Sequence, residues 1–251
     1  MRYYKGRHTV TLDLSREHTP AMGINRSSIS PEIKERCWVK RQWGWGVLGA
    51  LGLGFVAVRV NGKLRPKPMP VQIEQFFLTN PLRVSYFGYR DALRLAGDLK
   101  GLRVLEVGVG VGVILEEIAK RVGEGGQAFG VDVQSDAVAK AEQRLSQGGL
   151  MSRTGLATAN ALDMPWTDGS MDRVITVAML GEIPASHRVD ALKEARRVLN
   201  DEGKLVVTEF WPDPHFIPLS RMVKLLRQAG FGIVDIHQKP FLYSISAKKE
   251  G

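Results

Sequence analysis

The stretch Glu106-Val-Gly108-Val-Gly110-Val-Gly112 decides the fold. It follows a short apolar run at residues 103–107, which we predict to be a strand, and it leads into a helical pattern that begins at Val113. Glycines at such a turn let the backbone bend sharply and approach a ligand, and the free N–H groups of the helix start favour an anionic group. A glycine triplet alone is weak evidence, because turns of this kind also serve packing.

Beyond this turn, short apolar runs alternate with helical patterns, which is typical of a parallel sheet with crossover helices. The predicted strands are 103–107, 128–132, 155–160, 173–177, 204–209, 232–237 and 241–247, and the predicted helices are 113–122, 136–145, 187–199 and 219–229. Ser135 and Ser186 are placed to cap two of these helices.

The last two predicted strands are separated by three residues, 238–240, which is too short for a parallel crossover. We therefore expect them to form an antiparallel hairpin. The expected fold class is α/β: a doubly wound, mostly parallel, seven-stranded Rossmann-like sheet with a C-terminal antiparallel hairpin, preceded by an N-terminal arm.

Two polar residues follow predicted strands at the spacing of a nucleotide-binding edge. Asp132 ends the second strand twenty residues after Gly112, where an acidic side chain can accept both hydroxyls of a ribose. Asn160 and Ala161 close the third strand, where an amide can read the amino group of an adenine. The alternatives are a helix-capping or loop role for Asp132 and a simple turn role for Asn160.

Composition narrows the class of protein. The chain has 251 residues, 44% hydrophobic and 24% charged, which excludes collagen-like, low-complexity and wholly disordered sequences. Its one cysteine, Cys37, excludes an internal disulfide framework and favours a reducing compartment. No Cys or His cluster has zinc-ligand spacing, so we expect no metal site.

Positive charge is concentrated near the N-terminus. Of the 35 Lys and Arg residues, 13 lie in residues 1–70 with only four of the 26 acidic residues, so this segment carries the whole net charge of +9. A nucleic-acid enzyme more often carries its basic surface on the folded domain, so we expect no nucleic-acid partner. A basic arm suits an anionic membrane or an acidic protein.

The arm contains an uncharged hydrophobic segment, residues 43–58, which reads WGWGVLGALGLGFVAV. As a helix it reaches ~24 Å, short of the ~30 Å hydrocarbon core unless the flanking basic side chains extend it. Clustered tryptophans at one end and a face of small residues favour a membrane helix. A segment lying in the membrane interface and a hairpin packed on the domain are the alternatives.

Residues 62–70 hold three prolines and three cations, which is typical of an extended linker. We place the domain boundary near residue 70, with the arm at 1–70 and the folded domain at 71–251. The expected location is membrane-associated, with the domain in the cytoplasm or the mitochondrial matrix.

Five stretches occur in the order and spacing of a known family: VLEVGVGVG, GVDVQSDAVAKAE, ANALDMPWTDGSMDRVITV, ALKEARRVLNDEGKLVVTEF and LLRQAGF. Over about residues 80–247 the chain resembles the class I S-adenosylmethionine-dependent methyltransferases, most of all their ubiquinone/menaquinone-biosynthesis type. The stretch before residue 70 has no counterpart in the family.

The resemblance implies S-adenosyl-L-methionine as the cofactor. The glycine loop, with Glu106, would hold its methionyl part, Asp132 its ribose, and Asn160 with Ala161 its adenine. The family usually has Asp where Asn160 stands. Asn keeps one hydrogen-bond acceptor but removes a charge, so we expect adenine binding to be weaker but retained.

The resemblance also implies methyl transfer to a small acceptor, and the hydrophobic arm suggests a lipophilic or membrane-associated one such as a quinone precursor or lipid. Displacement at a sulfonium needs positioning and water exclusion, and it needs a base only if the acceptor must lose a proton. Candidates for that catalytic role are Glu182, Glu209 and His215, with His187 weaker. Each of them has a structural or solvated role as its alternative.

Two other functions have to be weighed against this one. A nicotinamide oxidoreductase is disfavoured, because it needs glycine at the sixth position of G-x-G-x-x-G, where Val113 stands here. Its six parallel strands would also not end in a hairpin. A methyltransferase-like subunit or assembly factor of a membrane complex, with catalysis secondary or absent, would explain the long arm. The glycine loop and Asp132 favour retained cofactor binding in either methyltransferase-like case.

Overall fold

The computed structural model describes residues 68–71, 88–211 and 213–250. The predicted arm, including the hydrophobic segment 43–58, lies outside the described residues, as does most of the linker. None of the helices in the described part combines the length and the apolar character that a membrane crossing needs.

Helices and strands alternate along the described chain, with one helix ahead of the first strand. In chain order the elements are α1 (Tyr89–Ala96), β1 (Arg103–Val107), α2 (Val113–Val122), β2 (Gln127–Asp132), α3 (Ser135–Gln147), β3 (Thr154–Thr158), β4 (Met171–Val177), α4 (Arg188–Val198), β5 (Leu199–Phe210), α5 (Leu219–Gln228), β6 (Phe231–Lys239) and β7 (Leu242–Lys249). Short 3₁₀ turns occur at Met151–Arg153 and Leu180–Glu182.

In the described residues the seven strands form one sheet in the order β3-β2-β1-β4-β5-β7-β6. Strands β1 to β5 pair in parallel, and β7 pairs antiparallel with both β5 and β6. The predicted sheet and its terminal hairpin are therefore confirmed. The chain reverses its strand order between β1 and β4, and ligands of open α/β sheets bind at such a switch point, outside the carboxyl ends of the strands.

The buried side chains of β1 show that helices cover both faces of the sheet. On β1, Val104 and Leu105 point to opposite faces and both are fully buried. Val104 packs in a cluster with α1, α2 and α3, whereas Leu105 packs in a cluster with α4 and α5. Burying a side chain of this size contributes about 1.5–3 kcal/mol.

The structure corrects several element boundaries. Helix α1 was not predicted, although its Ala92, Leu93 and Ala96 are fully buried against the sheet. Strand β5 begins at Leu199 rather than at residue 204, because Leu199 pairs with Met171 of β4. The register then shifts, and the regular pairing of β5 with β4 resumes at Lys204 opposite Arg173.

Both predicted serine caps are wrong. Ser135 is the first residue of α3, and the N-cap is Gln134, whose side chain makes no cap hydrogen bond. Instead, Oδ1 of Asp132 accepts the backbone N–H of Gln134 at 2.9 Å. Helix α4 has His187 as its N-cap, so Ser186 lies outside the helix. The turns that connect these helices to the sheet edge, and not the preference of Ser for the N-cap position, decide where the helices begin.

Candidate active site

A cavity of about 490 Å³ lies at the carboxyl ends of the central strands. Its volume falls within the ~300–1,000 Å³ range of small-molecule sites. Residues from the ends of β1, β2, β4 and β5, from the loop after β3 and from the strand-to-helix turns all line it, and residues 68 and 69 join them from ahead of the domain. The three elements predicted from the sequence, represented by Gly110, Asp132 and Asn160, meet around this cavity.

The glycine loop is held by backbone geometry that side chains rarely adopt. Gly108 has φ +82°, and a Cβ there would lie 2.5 Å from Cγ of Met179, which also lines the cavity. Gly112 has φ +79°, and a Cβ there would lie 2.8 Å from Cα and Cβ of Ala141 on α3. Gly108 and Gly110 line the cavity, whereas Gly112 packs against α3 and is not among the lining residues.

Asp132 joins two walls of the cavity. Its Oδ2 accepts the N–H of Gly110 at 3.0 Å, and its Oδ1 accepts the N–H of Gln134 at 2.9 Å. A carboxylate offers about four lone-pair sites, so these two bonds leave room to accept two further donors. The side chain is half-buried and lines the cavity, which suits a pair of ribose hydroxyls.

Asn160 builds a turn as well as lining the cavity. Its Oδ1 accepts the N–H of Leu162 at 3.0 Å, and its own carbonyl accepts the N–H of Asp163 at 3.0 Å. The turn function that the sequence left open is therefore present. The turn also brings Ala161 and Leu162 to the cavity wall as apolar cover.

Arg197 of α4 anchors the loop that follows this turn. Its guanidinium donates to both carboxylate oxygens of Glu194 and to Asp168, and also to the carbonyls of Met164 and Trp166. These hydrogen bonds, led by those to Glu194, raise the pKa of Arg197, so it stays charged. The planar fork of Arg suits this set of acceptors in a way that Lys cannot reproduce.

The acidic and basic residues that line the cavity indicate which kind of ligand fits it. Among the described residues that line the cavity are four carboxylates and no Lys or Arg; the carboxylates belong to Glu106, Asp132, Glu182 and Asp213. Glu106 and Asp213 are each 2% exposed, so little water surrounds them. Such a lining suits a cationic ligand, such as a sulfonium with an ammonium group, and opposes a pyrophosphate.

The predicted catalytic residues do not lie together. Glu182 lines the cavity, and its Oε1 accepts the N–H of Met69 at 3.1 Å. The turn that carries it is held by Arg188, which donates to the carbonyls of Gly181 and Ile183. His187 also lines the cavity, at the exposed start of α4.

Glu209 lies behind the cavity wall and is 1% exposed. Its Oε2 accepts the N–H of Ile217 at 3.4 Å. Burial, reinforced by the neighbouring carboxylate of Asp213, raises the pKa of Glu209 well above its ordinary value. Burial therefore favours the protonated form of Glu209.

His215 is also absent from the lining residues. Its Nδ1 lies 3.5 Å from Oδ1 of Asp213, and that same oxygen accepts the His215 backbone N–H at 2.6 Å. His215 therefore positions the loop after β5.

Sequence reasoning missed Phe210, Asp213 and the upstream residues 68 and 69 in the cavity lining. Asp213 follows the end of β5 within three residues, and the edge rule that found Asp132 would have found it as well. Residues 68 and 69 carry no local signal of this kind, because their contacts are made with residues far along the chain.

Comparison with known proteins places this geometry in a family context. Residues 104–203 match the family model described as "Methyltransferase domain". The ubiquinone/menaquinone biosynthesis C-methyltransferase UbiE of Bordetella avium is 36% identical over 110 residues, which cover 44% of this chain and 41% of that protein. The enzyme of the same name from Erwinia tasmaniensis is 28% identical over 162 residues, covering 64% and 60%.

The chain thus spans between 41% and 60% of the length of these two relatives. Among solved structures, the fold is similar to that of a SAM-dependent methyltransferase from Aquifex aeolicus, with a TM-score of 0.64 and 22% identity. The match covers 71% of this chain and 97% of that one. At this identity the likeness shows the shared fold.

Proposed function

We propose, from the premise that the described domain is a class I S-adenosylmethionine-dependent methyltransferase domain similar to the UbiE enzymes, that this chain methylates a small, uncharged, lipophilic acceptor. One observation supports the proposal above all others. The glycine loop, Asp132 and Asn160 line one cavity whose described walls carry carboxylates and no Lys or Arg.

The residues of the cavity fit the donor. Asp132 retains lone pairs for the ribose hydroxyls while it holds the glycine loop through Gly110. Ala161 and Leu162 offer apolar cover for adenine beside Asn160. Glu106, buried near the end of β1, lines the cavity, and its carboxylate would pair with the ammonium of the methionyl part.

S-adenosylmethionine supplies an electrophilic methyl group on a sulfonium. The chain's own contribution is to orient donor and acceptor and to exclude water, which together can supply on the order of 7 kcal/mol or more. Carboxylates beside a sulfonium would stabilise its charge before the reaction starts, and this does not lower the barrier to methyl transfer. The rate therefore depends on holding the acceptor in line with the bond that breaks.

An acceptor that is a phenol or a carbon acid must also lose a proton. We assign this proton to Asp213, because this acidic residue lines the cavity together with Phe210. Burial raises the pKa of the neighbouring Glu209 and favours its uncharged form, which reduces its repulsion with Asp213. With S-adenosylmethionine bound, its methyl group would pass to the acceptor, S-adenosylhomocysteine would leave, and Asp213 would take the proton that the acceptor loses.

The nature of the acceptor follows from charge and from the relatives. A phosphorylated or carboxylated acceptor would meet four carboxyl groups and no Lys or Arg among the described lining residues. The UbiE relatives are described as C-methyltransferases of ubiquinone and menaquinone biosynthesis. A demethylated quinol with an apolar tail combines neutrality with affinity for a membrane surface, and this is the acceptor we propose. Membrane contact through residues 43–58 belongs to the same proposal.

The decisive experiment has two stages. Full-length protein is first titrated with S-adenosylhomocysteine by calorimetry, and we expect saturable binding to one site. It is then incubated with methyl-labelled donor and a demethylated menaquinol in detergent, and labelled quinol is sought. Absence of binding would overturn the methyltransferase proposal, whereas binding without quinol methylation would overturn only the choice of acceptor.

A further inference from the structure

A short piece of chain ahead of the domain, residues 68–71, contributes to the donor cavity. We call it the strap. Pro68 and Met69 are among the lining residues. The strap is the end of the linker predicted at 62–70, and more than 30 residues separate it in sequence from β1, the first strand of the sheet.

A single residue of the strap is tied to two walls of the cavity. The N–H of Met69 donates to Oε1 of Glu182 at 3.1 Å. The carbonyl of Met69 accepts a hydrogen bond from Nε2 of Gln134 at 3.2 Å. Glu182 belongs to the turn after β4, and Gln134 follows β2, so the peptide groups of Met69 join the two sides of the switch point.

A third contact holds the strap to the glycine loop. Val71 is 5% exposed and packs in an apolar cluster with Val111 and Ala137. Val111 lies between Gly110 and Gly112, and Ala137 lies in the first turn of α3. All three anchors of the strap are therefore in elements that also build the donor site.

We infer that the strap is a positioning element of the donor site, with Gln134 and Glu182 acting as clasps that hold Met69 across it. The inference rests on the proposed function. Because the strap contacts the same elements as the donor, binding of either one favours the ordered arrangement of the other. Such coupling is reciprocal, so loosening the strap weakens donor binding and donor binding protects the strap.

The inference gives Glu182 a role different from that of a base. A base needs an ionisable carboxylate, whereas a clasp needs only an oxygen that accepts the Met69 N–H. Glutamine supplies that oxygen without the acidity, so Glu182→Gln separates the two roles. Gln134 serves as a clasp through its amide donor, since its side chain does not cap α3.

The test measures S-adenosylhomocysteine affinity by calorimetry in the full-length protein. Glu182→Ala and Gln134→Ala should each weaken binding roughly two- to ten-fold, the effect of one lost hydrogen bond. Glu182→Gln should rescue affinity to within roughly two-fold of wild type. Gln143→Ala, an exposed glutamine on the same helix as the Gln134 cap, is the matched control.

A second measurement reads the strap directly. Hydrogen exchange of the Met69 amide should slow when S-adenosylhomocysteine binds to the wild type, and the protection should be reduced in Glu182→Ala. Thermal unfolding of each variant confirms that the domain is folded.

Three outcomes overturn parts of the argument separately. Wild-type affinity in both alanine variants, with no ligand-dependent protection of Met69, removes the strap inference alone. An equal loss in Glu182→Gln and Glu182→Ala shows that the charge matters rather than the clasp, and it also overturns the inference. Failure of the wild type to bind S-adenosylhomocysteine overturns the proposed function itself.

Discussion

The backbone N–H of Gly110 donates to Oδ2 of Asp132, with 3.0 Å between the two atoms. The other oxygen of the same carboxylate accepts the N–H of Gln134 at 2.9 Å. One side chain thus shapes the glycine loop, starts α3 and faces the cavity. Loop geometry and ligand binding depend on the same group.

Removing this carboxylate should therefore weaken donor binding strongly. Asp132→Ala removes charge-assisted hydrogen bonds worth about 1.5–3 kcal/mol, or roughly ten- to hundred-fold in Kd for S-adenosylhomocysteine. Calorimetry measures the change. Asp136→Ala is the control, because Asp136 is exposed on α3 and does not line the cavity. Equal affinities for the two variants would contradict the assignment of Asp132 to the ribose.

Gly112 should be far less tolerant of alanine than Gly149. Both glycines have positive φ, +79° and +66°, so each alanine carries about 1–2 kcal/mol of backbone strain. Only Gly112→Ala also drives a Cβ to 2.8 Å from Ala141, whereas a Cβ at Gly149 meets nothing within 4 Å. Overpacking adds about 1–3 kcal/mol.

Thermal unfolding checks this comparison, at roughly 2–4 °C per kcal/mol for a domain of this size. Gly112→Ala should lower Tm by several degrees more than Gly149→Ala. Equal losses would mean that α3 moves away from the loop at no cost, and that the packing of Gly112 on Ala141 is unimportant for stability.

Glu209 should make the domain less stable as pH rises. Burial raises its pKa in the folded state, so the folded protein binds a proton that the unfolded chain releases near its ordinary pKa. The stability contribution is complete below the unfolded pKa and is lost as pH rises through the folded pKa. Glu209→Gln, which cannot ionise, should raise Tm at pH 8 and should have a progressively smaller effect toward pH 5.

Glu202→Gln is the matched control for this pH dependence. Glu202 lies on the same strand, β5, but its side chain is 93% exposed. Its substitution should leave the slope of Tm against pH unchanged. If Glu209→Gln also leaves that slope unchanged, Glu209 is ionised in the fold and the arrangement with Asp213 must be revised.

Asp213→Asn should impair methyl transfer more than donor binding. With a demethylated quinol as acceptor, loss of a positioned base lowers turnover by about 100-fold or more. Labelled methyl transfer measures kcat, and calorimetry measures S-adenosylhomocysteine affinity in the same preparation. Asp235→Asn, at an exposed position on β6, controls for charge. Wild-type turnover in Asp213→Asn would assign the proton to another group.

Local sequence was a good guide wherever a residue sits at the end of a parallel strand. Gly110, Asp132 and Asn160 were predicted to share one cavity, and the structure places all three in its lining. The prediction succeeds because hydrophobic periodicity identifies the strands, and because the carboxyl ends of parallel strands meet at one edge. The same rule found Glu182, which also lies at that edge.

The rule failed at the end of β5, where the face of the sheet to which each side chain points decides whether it reaches the cavity. Glu209 and Phe210 are neighbours at the end of β5, yet only Phe210 lines the cavity. Successive side chains of a strand point to opposite faces, and an uncertainty of one residue in the strand end reverses the assignment. His215 was placed correctly in the loop after β5, but that loop brings Asp213 to the cavity instead.

The positions of the strands along the chain, the glycine turn and the polar residues that follow the strands are local properties of the chain. They follow from the periods of its apolar residues and from the conformational freedom of glycine. The raised pKa of Glu209 depends on its burial in the folded domain. The clasping of Met69 depends on hydrogen bonds to two residues that lie 65 and 113 positions further along the chain. Such contacts exist only after the sheet has assembled, because no local pattern records which distant surfaces will meet.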